Sequence, residues 1–162
     1  MNQDRPKFYQ AMKHPVKFRF FLFFKLPAAW FAGVRIREID GTRCRVTIPY
    51  KWLTRNPFRS TYFASLSMAA EMSTGALAMS YLYKLDPPVS MLVINVDSTY
   101  FKKAVGRTSF LCEDGENFSF AIQEAIDTGE ARTVRAKSVG TNKEGDIVAE
   151  FYITWSFKTK IK

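Results

Sequence analysis

Histidine is almost missing from this chain of 162 residues: the only one, His14, stands directly before Pro15. Imidazole-based catalytic triads and polyhistidine metal centres are therefore excluded. Cysteine is nearly as scarce, and Cys44 and Cys112 fall in strand-like segments with no metal-ligand spacing around them. No signal peptide precedes them, so they are expected to be buried free thiols in a reducing cytoplasm. Acidic residues are also in short supply, 15 against 24 Lys and Arg, for a formal net charge of +9. Such a balance attracts polyanions: nucleic acid, an acidic membrane surface or a phosphorylated small ligand. A solvated basic surface that aids solubility is the plainer reading. Helix-turn-helix, zinc-finger and aromatic RNA-binding patterns are lacking and the cations are scattered along the chain, so no nucleic acid partner is expected. Repeats, low-complexity tracts and linkers are absent too, which leaves one domain of ordinary size with enough apolar residues for a core.

What is present is concentrated in Asn56 to Tyr83, NPFRSTYFASLSMAAEMSTGALAMSYLY, where a single carboxylate, Glu71, sits in an otherwise uncharged helical run. Ala, Leu and Met dominate, Asn56-Pro57 and Ser60 or Thr61 supply start signals, and Asp86-Pro87-Pro88 supplies the stop. The length would suit a membrane span, but the central Glu, the many Ser and Thr and the Pro-Pro exit count against one. An uncharged helix with small residues on every side is expected to be buried all round, closely wrapped by a sheet. A carboxylate there must be paired, neutralised or used. Pairing could come from the Ser67 or Thr74 hydroxyls or from a strand Arg. Met68, Met72 and Met79 read as core filler ahead of an acyl-binding stripe.

On either side the chain reads as strands. Val34–Ile39 and Cys44–Tyr50 form a hairpin across Asp40-Gly41. Val89–Phe101 is a β-rich run with Leu92, Ile94 and Val96 on one face, and Thr108, Phe110 and Cys112 alternate after Gly106. A helical piece around Phe118–Asp127 follows. Then Arg132–Val139 pairs, through the turn at Asn142 to Gly145, with a strictly alternating strand from Ile147 to Lys158. Ahead of all this, residues 1–33 form an extension of one or two short helices broken at Pro15 and Pro27, with His14 in a loop. The Phe face of the extension is expected to pack on the domain of residues 34–162. A membrane-surface helix is the lesser alternative, given Lys13, Lys17, Arg19 and Lys25 among the Phe residues.

The order is an α+β architecture in which a curved antiparallel sheet wraps a long helix. In that order the chain resembles the hotdog-fold thioesterase superfamily, near the branch of phenylacetate-pathway-like acyl-CoA thioesterases. Asn56-Pro57 matches the opening of that family's Asn-Pro-x-Gly-x-x-His-Gly-Gly stretch, and Glu71 stands at its acidic position, seven residues after the last Gly. Tyr100-Phe101-Lys102-Lys103-Ala104-Val105-Gly106 and Glu144-Gly145-Asp146-Ile147-Val148-Ala149 resemble its later segments. Arg59 replaces the first Gly, and Tyr62-Phe63-Ala64 replaces His-Gly-Gly, adding bulk where glycine leaves space.

The resemblance implies a thioesterase acting on acyl-CoA, without metal or bound cofactor, and assembled as a homodimer or dimer of dimers with its sites at the subunit interface. Thioester hydrolysis needs a base for water and donors for an oxyanion. Glu71, desolvated by its neighbours, is the candidate base. Asn56 is the candidate to orient water or the carbonyl, although before Pro57 it reads equally as a turn or cap residue. The backbone amides of Phe63 and Ala64 are the candidate oxyanion donors, and Arg55, Arg59, Tyr62, Lys102 and Lys103 the candidate CoA contacts. A non-catalytic acyl or CoA binder and a basic surface-binding module remain open beside the hydrolase.

Overall fold

In a computed structural model of the chain, residues 4–160 are described. Three short helices lead in: α1 (Arg5–Lys13), α2 (Pro15–Lys25) and α3 (Pro27–Ala32). Pro15 and Pro27 each occupy a first helical turn, where the missing N–H costs nothing. His14 is more than a loop residue. Its Nδ1 accepts hydrogen bonds from the Val16 and Lys17 amides and so caps α2. Gly33, at φ 83°, ends α3 in the left-handed conformation that glycine adopts without a Cβ penalty.

The domain follows as β1 (Arg35–Ile39), β2 (Cys44–Ile48), α4 (Phe63–Leu82), β3 (Val89–Tyr100), β4 (Thr108–Cys112), α5 (Gly115–Thr128), β5 (Arg132–Thr141) and β6 (Ile147–Thr159). The strands make one six-stranded sheet in the order β1-β2-β4-β5-β6-β3, every neighbouring pair antiparallel. The helix α4 lies across β2, β4 and β5 and meets β6, while α5 covers β5 and β6. Fully buried Phe110, Phe151, Phe157, Leu77 and Val46 fill the space between. The fold is the hotdog arrangement that the resemblance implied.

The helix departs from the sequence expectation in two respects. It begins at Phe63, not at the Asn56 signal, because residues 56–60 close on themselves as a loop. Nor is it buried all round: Phe63, Ala64, Ser67, Met68 and Glu71 share an incompletely covered side, and Met79 is exposed, whereas Met72 is core. The cause lies in the sheet. α4 is covered by the inner strands, and β3, at the sheet edge, does not reach over it. Leu92, Ile94 and Val96 on β3 are exposed, Leu92 to 65%, but they do not share one face as the alternation implied, because a bulge between Val93 and Asn95 sets Leu92 opposite Ser156 and Val96 opposite Ile153.

The N-terminal extension also departs in part. Phe8, Phe18 and Leu22 are buried, and α1 packs on β1 and α4, but Phe20, Phe23 and Phe24 face solvent. Residues 1–3 and 161–162 of the two expected segments lie outside the described residues. Among the described residues, no helix is long and apolar enough to cross a membrane.

Candidate functional site

A cleft of about 510 Å³ opens at the start of α4, between the 56–62 loop and the segment after β3. Its walls are mainly aromatic, from Phe58, Tyr62, Phe63, Tyr100 and Phe101, with Leu66 at its base. Two bonds hold its sides together. The Thr61 amide and hydroxyl both donate to the Ala104 carbonyl, at 2.8 and 3.0 Å.

At this end α4 has no side-chain cap. The Tyr62 amide donates to the Thr54 carbonyl at 2.7 Å, and the Ser65 and Leu66 amides both turn back to the Tyr62 carbonyl. Among the described residues, the Phe63 and Ala64 amides have no acceptor. A helix start with two uncommitted N–H groups, backed by the helix dipole, is a receptor for negative charge. Phe63 lines the cleft, so one of the two residues lies at its wall.

Glu71 lies eight residues further along, about 12 Å down the helix at 1.5 Å per residue, and does not line this cleft. Its carboxylate is half-buried and, among the described residues, meets no hydrogen-bond donor and no cation. The satisfied alternatives raised by the sequence are not realised. The Ser67 hydroxyl donates to the Phe63 carbonyl, and the Thr74 hydroxyl donates to the Glu71 backbone carbonyl while accepting from Trp155 Nε1 at 2.9 Å. Burial alone, with nothing to offset it, pushes the Glu71 carboxyl above the usual glutamate range. A Cβ on Gly75 would stand 3.1 Å from both Glu71 Oε1 and the Trp155 ring, so the missing side chain at 75 gives the carboxylate its place.

The other candidates divide. Tyr62, Lys102 and Lys103 line the cleft, as does Asn56, whereas Arg55, Arg59 and the Ala64 side chain do not. Asn56 is a loop-former: its Oδ1 accepts from the Phe58 and Ser60 amides and its Nδ2 donates to the Ser60 hydroxyl. Little of its polarity is left to orient a substrate. Lys102 is engaged with Asp146 at 3.0 Å, and Lys103 Nζ donates to the Phe58 carbonyl at 3.4 Å across the mouth. Arg59 has φ 60°, a left-handed backbone, at the position where the family pattern carries glycine. A non-glycine residue is strained in that conformation, which glycine adopts freely.

Cys44 and Cys112 face each other across β2 and β4 as buried free thiols. Burial holds both far above the ordinary thiol range, Cys112 up to about 12, so neither is a nucleophile near neutrality. Among the described residues no group of His, Cys, Asp and Glu side chains could hold a metal ion.

Sequence reasoning also missed a cluster. Arg19, Arg35, Arg37, Lys51 and Arg107, scattered along the chain, line one cavity of about 470 Å³ on the β1–β2 side of the sheet.

Residues 16–157 match the family described as a domain of unknown function, DUF4442. A Pseudomonas aeruginosa protein of unknown function, described as a probable thioesterase, has a similar structure. The likeness covers 93% of this chain and 99% of that one at 20% identity and a TM-score of 0.76. A protein of unknown function from Chlorobaculum tepidum is similar over 98% of this chain and 96% of its own, at 18% identity and a TM-score of 0.76. A thioesterase from Haemophilus influenzae is similar over 88% and 90%, at 11% identity and a TM-score of 0.63. No curated protein matches the sequence significantly.

Proposed function

We propose, from the premise that this chain belongs to the DUF4442 domain family and has a thioesterase-like hotdog fold, that it hydrolyses acyl-CoA thioesters as a homodimer. One observation carries the reading: an unpaired carboxylate with a raised pKa, Glu71, on the helix whose uncapped start offers two free amides beside an apolar cleft. The carboxylate takes a proton from water as it attacks the thioester carbonyl carbon. The Phe63 and Ala64 amides receive the developing oxyanion. Collapse of the tetrahedral intermediate breaks the C–S bond, and the proton held by Glu71 goes to the leaving sulfur. The aromatic walls hold the acyl group, and Lys103 at the mouth meets a phosphate of CoA.

This reading calls for a second copy of the chain. A base about 12 Å down its own helix cannot serve the cleft at that helix's start. β3 ends the sheet with an edge of twelve residues that no other described strand pairs, and Leu92, Ile94 and Val96 on it are exposed. Such an edge is a template for a second copy of itself. In the proposed assembly two copies join antiparallel there, and Glu71 of the partner subunit serves each cleft. Two cysteines in the whole chain, both buried, suit the reducing, cytoplasmic setting proposed for this enzyme.

A non-catalytic acyl-CoA binder is favoured by one feature, the Tyr62 and Phe63 rings packed edge to face at 4.8 Å where the family pattern has His-Gly. Turnover separates the two. Thioester cleavage measured over short, aromatic and long acyl-CoAs is expected for at least one class. Absence of cleavage with retained binding would make the protein a binder.

A further inference from the structure

Between Asp4 and Glu38 the chain carries eight Lys and Arg and no carboxylate. The fold brings three of them, Arg19, Arg35 and Arg37, together with Lys51 and Arg107 beside an apolar surface. α2 and α3 bury Phe18, Leu22 and Ala29 against the domain and turn the opposite side outward, with Phe20 exposed to 61%, Phe24 to 71% and Phe31 to 53%. Val16 and Leu26 lie exposed among them. Arg19 stacks its guanidinium on Trp30 at 4.6 Å and lines both a shallow hollow with Phe20 and Phe23 and the basic cavity with Arg35, Arg37, Lys51 and Arg107. The two surfaces are therefore continuous.

No carboxylate of the described residues lines that cavity. Among the described residues, none of its five cations forms an ion pair with a carboxylate. Partial desolvation, then the positive charges of Arg107 and Arg35, hold the Arg37 guanidinium below the usual arginine range. An anion seated there would relieve a repulsion that the fold leaves in place. The surface adjoins β1, one edge of the sheet, whereas β3 is the other edge. A dimer formed along β3 leaves it free.

We propose that the α2–α3 face docks on an anionic phospholipid bilayer, with Phe20, Phe24 and Phe31 entering the interface and a lipid phosphate seated in the Arg19–Arg35–Arg37–Lys51–Arg107 cavity. A lipid surface fits better than a nucleic acid because aliphatic Val16 and Leu26 share the face, and these cannot stack on bases but do enter a bilayer interface. Cations beside outward aromatic rings are the pattern of a surface-lying anchor, with attraction to anionic headgroups added to apolar burial. This inference stands apart from the hydrolase reading and from the dimer edge.

Sedimentation of the full chain with phosphatidylcholine vesicles, with and without phosphatidylglycerol, tests it. Partitioning is expected to be at least about tenfold stronger with the anionic lipid and to fall as salt rises. Phe20→Ser with Phe24→Ser should lose about tenfold or more, and Arg35→Gln with Arg107→Gln about 10–30-fold. All four positions are exposed, so both variants should keep the wild-type melting temperature. Equal partitioning to neutral vesicles, unchanged binding in either variant, or binding to a fluorescent oligonucleotide without binding to vesicles would overturn the proposal.

Discussion

Glu71→Gln removes the proposed base while keeping the shape of the side chain, and the structure predicts opposite signs for its effects on rate and stability. The carboxylate has no partner among the described residues, so the change breaks no hydrogen bond or ion pair. Its pKa is raised in the folded state, which means folding is opposed by the charged form. That opposition is absent below the ordinary glutamate pKa and grows as pH rises through the raised value. The Gln variant should therefore match the wild type near pH 4 and melt at the same or a higher temperature near pH 8. Turnover should move the other way. Losing a general base costs about 10²–10⁴-fold, or roughly 3–5.5 kcal/mol of transition-state stabilisation. Wild-type kcat/KM should rise with pH along a limb set above the usual glutamate range, and the variant should lose that limb. Acyl-CoA hydrolysis followed by thiol release, together with melting curves at the two pH values, reads all of this. Unchanged hydrolysis in the variant refutes the assignment. A variant that melts lower at pH 8 refutes the account of an unpaired carboxylate.

Arg59→Gly should raise stability by about 0.5–1 kcal/mol in urea unfolding, because relief of a left-handed non-glycine residue exceeds the added freedom of the unfolded chain. Trp155→Phe should cost about 2–3 kcal/mol in the same assay, from the lost ring volume and from a Thr74 hydroxyl deprived of its buried donor. Val96→Lys places like charges where two β3 edges meet. Light scattering should then report a monomer in place of a dimer, with hydrolysis lost while the domain stays folded, and a dimeric, active variant would contradict the interface. Gly75→Ala should cut kcat several-fold with little change in KM, since its Cβ displaces the Glu71 carboxylate by a few tenths of an ångström.

The sequence by itself determined the elements, because their signals are local. Alternation from Ile147 to Lys158, the uncharged run around Glu71 and the Asp40-Gly41 turn each follow from residues within one segment. Their order sufficed for a helix wrapped by an antiparallel sheet, the resemblance to a known family supplied the hotdog arrangement, and an acid alone in an apolar helix was already conspicuous. Tertiary structure decided whether that acid had a partner, since Ser67 and Thr74 were in reach by spacing and turned to backbone carbonyls instead. It also settled Asn56 as a loop-former, committed Lys102 to Asp146 and held Arg59 left-handed. Burial could not be read from the helix alone, because it depends on which strands lie over it, and β3 ended up at the far edge. The cavity of Arg19, Arg35, Arg37, Lys51 and Arg107 was invisible along the chain for the same reason. These cations come from a lead-in helix, a strand and two loops, and only the folding of those segments onto one side of the sheet brings their charges within reach of a single anion.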